Sequence, residues 1–186
     1  MMIATVETAD AKQEIPELPD RRGFELIDGE WVEKNMGAQA AIVGLNVNAR
    51  VHEHADTHQL GLVFASDAGY QIFADKPKRM RKPDGSFIRR GRLPEDKPPR
   101  GHLRIPPDLA IEVISPSDLA ENIEERIADF MQAGTQLMWV LYPNTRSVYV
   151  FRQGGRVSRL TTADELSGED VLPGFTCRVE ELFAGT

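Results

Sequence analysis

The chain has 186 residues, 41% of them apolar and 27% charged, which fits one globular domain with a sizeable core and excludes a disordered or fibrous chain. Its formal charge of −7 argues, taken alone, against a nucleic-acid binder. No apolar run approaches the roughly 20 residues that a membrane helix needs.

The first 22 residues, which begin "MMIATVETADAKQEIPELPD", lack the basic start and apolar block of a secretion signal and read as a loosely held arm before a single domain over 23–186. "GFELIDGEWVEK" predicts two short strands around Asp28-Gly29, a favoured hairpin pair. In "GAQAAIVGLNVNARVHEHADT", Ala38, Ile42, Leu45 and Ala49 recur at helical spacing and predict a first long helix. "LGLVFASDAGYQIF" alternates, with Leu62, Phe64, Tyr70 and Ile72 on one face and Asp67 on the other, and predicts a strand bent near Gly69. "KPDGSFIRR" supplies another strand, and the basic, proline-rich stretch from Gly91 to Pro107 a loop. "DLAIEVIS" reads as a buried strand. The helix "SDLAENIEERIADFMQAG" follows, with Asp118 as N-cap, Glu121 completing a capping box and Gly134 as its stop. Strands over "TQLMWVLY", "SVYVFR" and "VSRLTT" come next, the last two joined by a turn at Gly154-Gly155, and the tail ends in a short helix. The order is that of one mixed α/β domain. A single cysteine, Cys177, excludes an internal disulfide and agrees with a reducing cytoplasm.

The charge is unevenly spread. From Lys76 to Arg104 there are 11 Lys or Arg and 3 acids, half of the chain's 22 basic residues in 29 positions. Such a run is either a solvated loop or a local positive field that a phosphate backbone would feel. Its candidate DNA contacts are Lys78, Arg79, Arg81, Lys82, Arg89 and Arg90.

The residue most in need of explanation is Glu112, inside the apolar run of "PPDLAIEVISPSD". Asp108 lies on the same strand face, but four residues along a strand is about 13 Å, too far for both acids to grip one ion. Asp108 therefore reads as structural. The natural partner is Asp84 in "RKPDGSFI": on an adjacent strand the two carboxylates would lie about 5 Å apart, near enough to share a hard cation such as magnesium. The competing reading is a buried ion pair between Glu112 and an arginine.

The ordered set "FELIDGEWVE", "RKPDGSFI", "PPDLAIEVISPSD", the helix ending in "AG", "LMWVLYP" and "VLPGF" resembles the bacterial Uma family of restriction-type endonucleases, within the PD-(D/E)XK nuclease superfamily. The resemblance spans about Phe24 to Phe183. It implies a restriction-endonuclease-like mixed β-sheet flanked by helices, and hydrolysis of DNA phosphodiester bonds with Mg2+ or Mn2+. It also implies Asp84 and Glu112 as metal ligands, DNA and no membrane as partners, and a homodimer, the arrangement such nucleases often adopt. The lysine that usually follows the second acid by two residues is replaced by Ile114. In the family that lysine comes from the next helix, at the position of Arg126, which completes the implied catalytic set. Arg126 also falls in the core-facing stripe of its helix, where a charge needs a partner such as Glu112 or Asp84. Two further departures are Gln39, where the family often has histidine, and Tyr142-Pro143, where an acid often precedes the proline. A nuclease-fold protein that binds DNA or a protein partner without cutting is the alternative that these departures leave open.

Weaker features read as structure. His54 and His58 are four apart on a helix, a spacing that suits a metal pair but more often a solvated, dipole-favoured helix end. Asp67 reads as an exposed strand acid, Ser115 and Ser117 as capping residues without the glycines of a nucleophile elbow, and Trp139, Tyr142 and Tyr149 as core.

Overall fold

The computed structural model describes residues 18–34 and 36–186. Positions 1–17 of the expected arm lie outside the described residues. Residues 18–22 are tied to the domain instead of hanging free: the Leu18 N–H donates to Gln71 Oε1 at 3.3 Å, the Leu18 carbonyl meets His102 Nε2 at 2.9 Å, and Asp20 pairs with Lys82 at 2.7 Å.

The elements run β1 (Phe24–Ile27), β2 (Glu30–Glu33), α1 (Ala38–Thr57), β3 (Gly61–Ala65), β4 (Gly85–Arg89), a 3₁₀ turn (Pro94–Asp96), β5 (Leu109–Val113), α2 (Ala120–Gln132), β6 (Leu137–Tyr142), β7 (Ser147–Arg152), β8 (Val157–Leu160), β9 (Glu165–Ser167), β10 (Thr176–Arg178) and α3 (Val179–Leu182). Six strands form one mixed sheet in the order β3-β4-β5-β6-β7-β8. Only β5 and β6 pair in parallel, and α2 makes the crossover between them. Those two central strands are buried almost throughout, which is why "LAIEV" and "LMWVLY" read as near-continuous apolar runs. β1 and β2 form a separate hairpin whose turn residues Asp28 and Gly29 both take positive φ (51° and 93°), the backbone that matches strand twist. The hairpin docks on the rest through a bridge between Leu26 and Met80.

Each sheet face has its own cover. Phe87, Leu109, Ile111, Val113, Trp139 and Leu141 face α1 and the C-terminal segment that ends in α3. Ile88, Ala110, Met138 and Val140 face Phe130 of α2 and Tyr70. Helix α1 carries two apolar stripes, and the one that packs is Ala40, Val43, Gly44, Val47, Val51 and Ala55. The stripe expected from the spacing is turned outward: Leu45 is 69% exposed and Ile42 40%. Gly44 lies in the packed stripe beside Val113, where a Cβ would make only ordinary van der Waals contact at 3.9 Å. A close approach involves Gly85, where any Cβ would collide with the Asn48 side chain, whose amide donates to the Asp84 carbonyl at 2.9 Å.

Three local expectations differ from the structure. The capping box is not formed: Asp118 Oδ2 accepts the Ser115 N–H at 2.7 Å, closing the turn before the helix, and α2 begins one residue later with Leu119 as N-cap and no side-chain cap. β3 ends at Ala65, ahead of the expected bend, and Tyr70 makes only isolated bridges to Arg81 and Leu103. The three-residue strands β9 and β10 were not anticipated, since so short an alternation carries little signal. Trp139 is fully buried, whereas Tyr142 and Tyr149 are half-buried and meet edge to face at 5.3 Å. No helix among the described residues is long and apolar enough to cross a membrane.

Candidate nuclease site

β4 and β5 pair antiparallel with Gly85 opposite Ile111 and Ser86 opposite Ala110. One further step of that register sets Asp84 against Glu112, as expected for two acids on adjacent strands. Both side chains are 2% exposed. Alternation places them on the sheet face covered by α2, the face of Ile88 and Ala110. The Val113 N–H donates to Asp84 Oδ2 at 2.7 Å, which fixes that carboxylate on the strand edge and leaves Oδ1 aimed into the site.

Arg126 reaches in from α2, with Nη1 3.1 Å from Glu112 Oε2 and Nη2 3.6 Å from Glu25 Oε2. A second cation was not foreseen. Lys34, the residue after β2, holds Nζ at 2.9 Å from Asp84 Oδ1 and 3.4 Å from Glu112 Oε2, and donates also to the Lys82 carbonyl. Nothing local marks Lys34 in "EWVEK", because its place depends on how the hairpin docks. Glu25 was missed for the same reason. It occupies the polar phase of "FELI" but is 2% exposed, accepts the Lys82 N–H at 2.7 Å and pairs with Arg81 at 3.2 Å.

The electrostatics follow from burial. Loss of water pushes the Glu112 carboxyl up to about 7; Arg126 and Lys34 oppose that shift, while Asp84 and Glu25 add to it. Burial also disfavours the Lys34 ammonium, but the charges of Glu112, Asp84 and Glu25 outweigh it and hold the lysine well above its ordinary value. Arg126 is likewise raised, first by Glu112.

Two oxygens decide whether a divalent ion fits. Glu112 Oε1 is buried with no hydrogen-bond partner among the described residues, and Asp84 Oδ1 faces only the charge of Lys34, in a direction that makes no hydrogen bond. No group of three or more His, Cys, Asp or Glu among the described residues forms a metal cage. The donor set therefore suits a magnesium-like ion, which takes one or two carboxylates and completes its shell with water and substrate phosphate. His54 and His58 stack on each other at 4.3 Å, and His54 Nε2 meets the Pro173 carbonyl at 2.9 Å, in keeping with a structural helix end. Asp108 accepts from the Arg89 N–H at 2.9 Å and pairs with Arg92 at 2.7 Å, the structural role expected.

The expected basic surface needs correction. Arg79, Arg81 and Lys82 are 1–3% exposed and turned inward. Arg79 and Arg81 both grip Asp129 and Glu125 of α2, at 2.8–2.9 Å, and Lys82 pairs with Asp20. Burying such side chains unpaired would be costly, so a basic run next to an acidic helix face closes into ion pairs. Lys78, Arg89 and Arg90 remain exposed. Arg89 ends β4 and Arg90 follows it, at the opposite end of the strand from Asp84 and about 16 Å away along it.

Comparison with known proteins bears on the family and the fold. The model of the Uma2 family, described as "Putative restriction endonuclease", matches residues 12–180. The crystal structure of a "putative nuclease belonging to DUF820" from Anabaena variabilis ATCC 29413 superposes with a TM-score of 0.75 at 19% identity, covering 89% of this chain and 93% of that one. No curated protein matches. With the family model covering nearly the whole chain, the protein belongs to the Uma2 family.

Proposed function

We propose that the protein is a metal-dependent endonuclease that hydrolyses phosphodiester bonds in DNA, with Asp84 and Glu112 as the residues that hold Mg2+ or Mn2+. The observation that carries this reading is the convergence of two buried carboxylates from adjacent strands, one with an oxygen that no group among the described residues satisfies. A carboxylate kept dry and only partly paired is expensive unless it serves a ligand. The bound ion supplies charge neutralisation at the phosphoryl group and a more acidic water.

The chain's own groups do the rest. Asp84, fixed by the Val113 N–H, presents one oxygen in a constant direction. Arg126 orients Glu112 and keeps 12% of its side chain exposed. Its planar fork suits a phosphate's two oxygens but cannot give up a proton, so it acts by charge and position. The exposed Lys78, Arg89 and Arg90 contribute to DNA attraction without reading sequence. Cutting both strands calls for two such sites, hence a homodimer.

A second reading, a nuclease fold that binds DNA without cutting, is favoured by Ile114 and Arg126 standing at the two positions where lysine is expected. Calorimetric titration of Mg2+ or Mn2+ into the wild type and Glu112→Ala, followed by plasmid nicking with the same samples, separates the two. Metal binding and nicking by the wild type alone support the nuclease. Binding without nicking selects the non-cutting reading, and no binding returns Glu112 to a structural ion pair.

A further inference from the structure

We infer that Lys34 is the lysine of this site, delivered from the end of the β1–β2 hairpin: it neutralises the two carboxylates in the metal-free protein, gives way when a divalent ion binds, and then pairs with the substrate phosphate. The inference rests on the nuclease reading above and assigns a residue that neither the strand motif nor the helix position supplies.

Three observations carry it. First, Lys34 is the group that touches both carboxylates, at 2.9 and 3.4 Å, whereas Arg126 touches Glu112 and Glu25 and not Asp84. Its ammonium thus stands between the two acids that would share an ion. Second, 15% of its side chain is exposed against 2% for each acid, so Lys34, like Arg126 at 12%, reaches solvent where the carboxylates do not. Third, the oxygens it leaves unsatisfied, Glu112 Oε1 and the poorly aligned Asp84 Oδ1, show that it neutralises the pair without filling the hydrogen-bonding demand.

Chemistry separates Lys34 from Arg126 as well. A lysine ammonium is a compact charge on a flexible stem and can exchange partners by rotating a few bonds. The Arg126 guanidinium is committed to two acids at once. An ion arriving between Asp84 and Glu112 would be repelled by an ammonium at that spot, so Lys34 must move. The nearest favourable place for its charge is then the substrate phosphate.

The test uses the full-length wild type, Lys34→Met and Lys34→Arg, with Mn2+ titrated by calorimetry, thermal melting with and without Mn2+, and plasmid nicking. Lys34→Met is expected to bind Mn2+ about tenfold more tightly, because the competing charge is gone. It is also expected to melt lower than wild type without Mn2+ and to recover with it, because Asp84 and Glu112 then repel until an ion joins them. Its nicking should fall by about 100-fold or more. Lys34→Arg keeps a charge between the acids, so it should fold without metal, show no gain in Mn2+ affinity and nick more slowly than wild type.

Lys34→Met that binds Mn2+ no more tightly than wild type, or nicks equally well, overturns the assignment of Lys34 while leaving the nuclease reading intact. Failure of wild type and both variants to bind Mn2+ overturns both together. If Lys34→Met does not fold at all without metal, Lys34→Arg decides: nicking at the wild-type rate, or a gain in Mn2+ affinity, overturns the proposal.

Discussion

Two buried ionic clusters lie side by side against α2, built from the same residue types, and they differ in how far their acids are satisfied. In the first, Asp129 receives Lys76 and Arg79 on Oδ1 and Arg79 and Arg81 on Oδ2, all within 3.0 Å, and Arg79 extends to Glu125 and Asp28. Burial would raise the Asp129 carboxyl, but these donors outweigh it and hold it below the usual carboxylate range. In the second, Glu112 has Arg126 and Lys34 on one oxygen and, among the described residues, no hydrogen-bond partner on the other, and burial pushes it up to about 7. Arg81 and Glu25 link the two clusters. A saturated acid holds structure together; an unsaturated one leaves a buried oxygen open.

The contrast is broken most severely at Asp129. Asp129→Ala leaves Arg79 and Arg81 buried without their shared acid, and chemical denaturation should show a loss of about 3–5 kcal/mol. Asp129 is depressed in the folded state, so the stability it adds is present above its usual 3.8 and is lost as pH falls through the lower folded value. The variant should therefore show a flatter acid limb than wild type. At Glu112 the sign is opposite. The folded protein keeps this proton up to about 7 and the unfolded chain releases it near 4.5, so metal-free stability declines as pH rises across that window. Glu112→Gln removes the decline, and its stability relative to wild type should climb between pH 4.5 and 7 by on the order of 2 kcal/mol. A flat difference curve would show that Glu112 is as well satisfied as Asp129. The smallest effect belongs to a pair outside both clusters: Lys97 and Glu95 meet at 2.7 Å but are 73% and 77% exposed. Lys97→Ala should cost less than about 0.5 kcal/mol, showing that partial solvation removes most of an ion pair's worth.

What the sequence reveals follows the same division between local and distant causes. The hairpin turn at Asp28-Gly29, the buried β5 and β6, the stop at Gly134 and the pairing of Asp84 with Glu112 all rest on local patterns or adjacent-strand register, and each is legible in the chain. The packing face of α1 was not, because Ile42 and Leu45 make an apolar stripe as plausible as Val43, Val47 and Val51, and the choice is made by tertiary packing against the sheet. Lys34 and Glu25 were hidden because the hairpin's docking through Leu26 and Met80 is a tertiary event. The inward turn of Arg79, Arg81 and Lys82 was hidden too: a run of basic residues looks alike whether it faces water or an acidic helix face.

The distances in sequence between the site's members bear on when the site comes into being. Lys34 and Glu112 are 78 positions apart, the Val113 N–H and Asp84 29, and Arg126 and Glu112 14. During synthesis a contact can form only once its later partner has emerged, and contacts between remote segments are the slow part of folding. Asp84 and Glu112 meet only after β5 has been made and paired, and Arg126 arrives with the helix beyond it. A chain stopped before residue 126 thus lacks one member of the cluster, and the full set of charges is deferred until most of the domain exists.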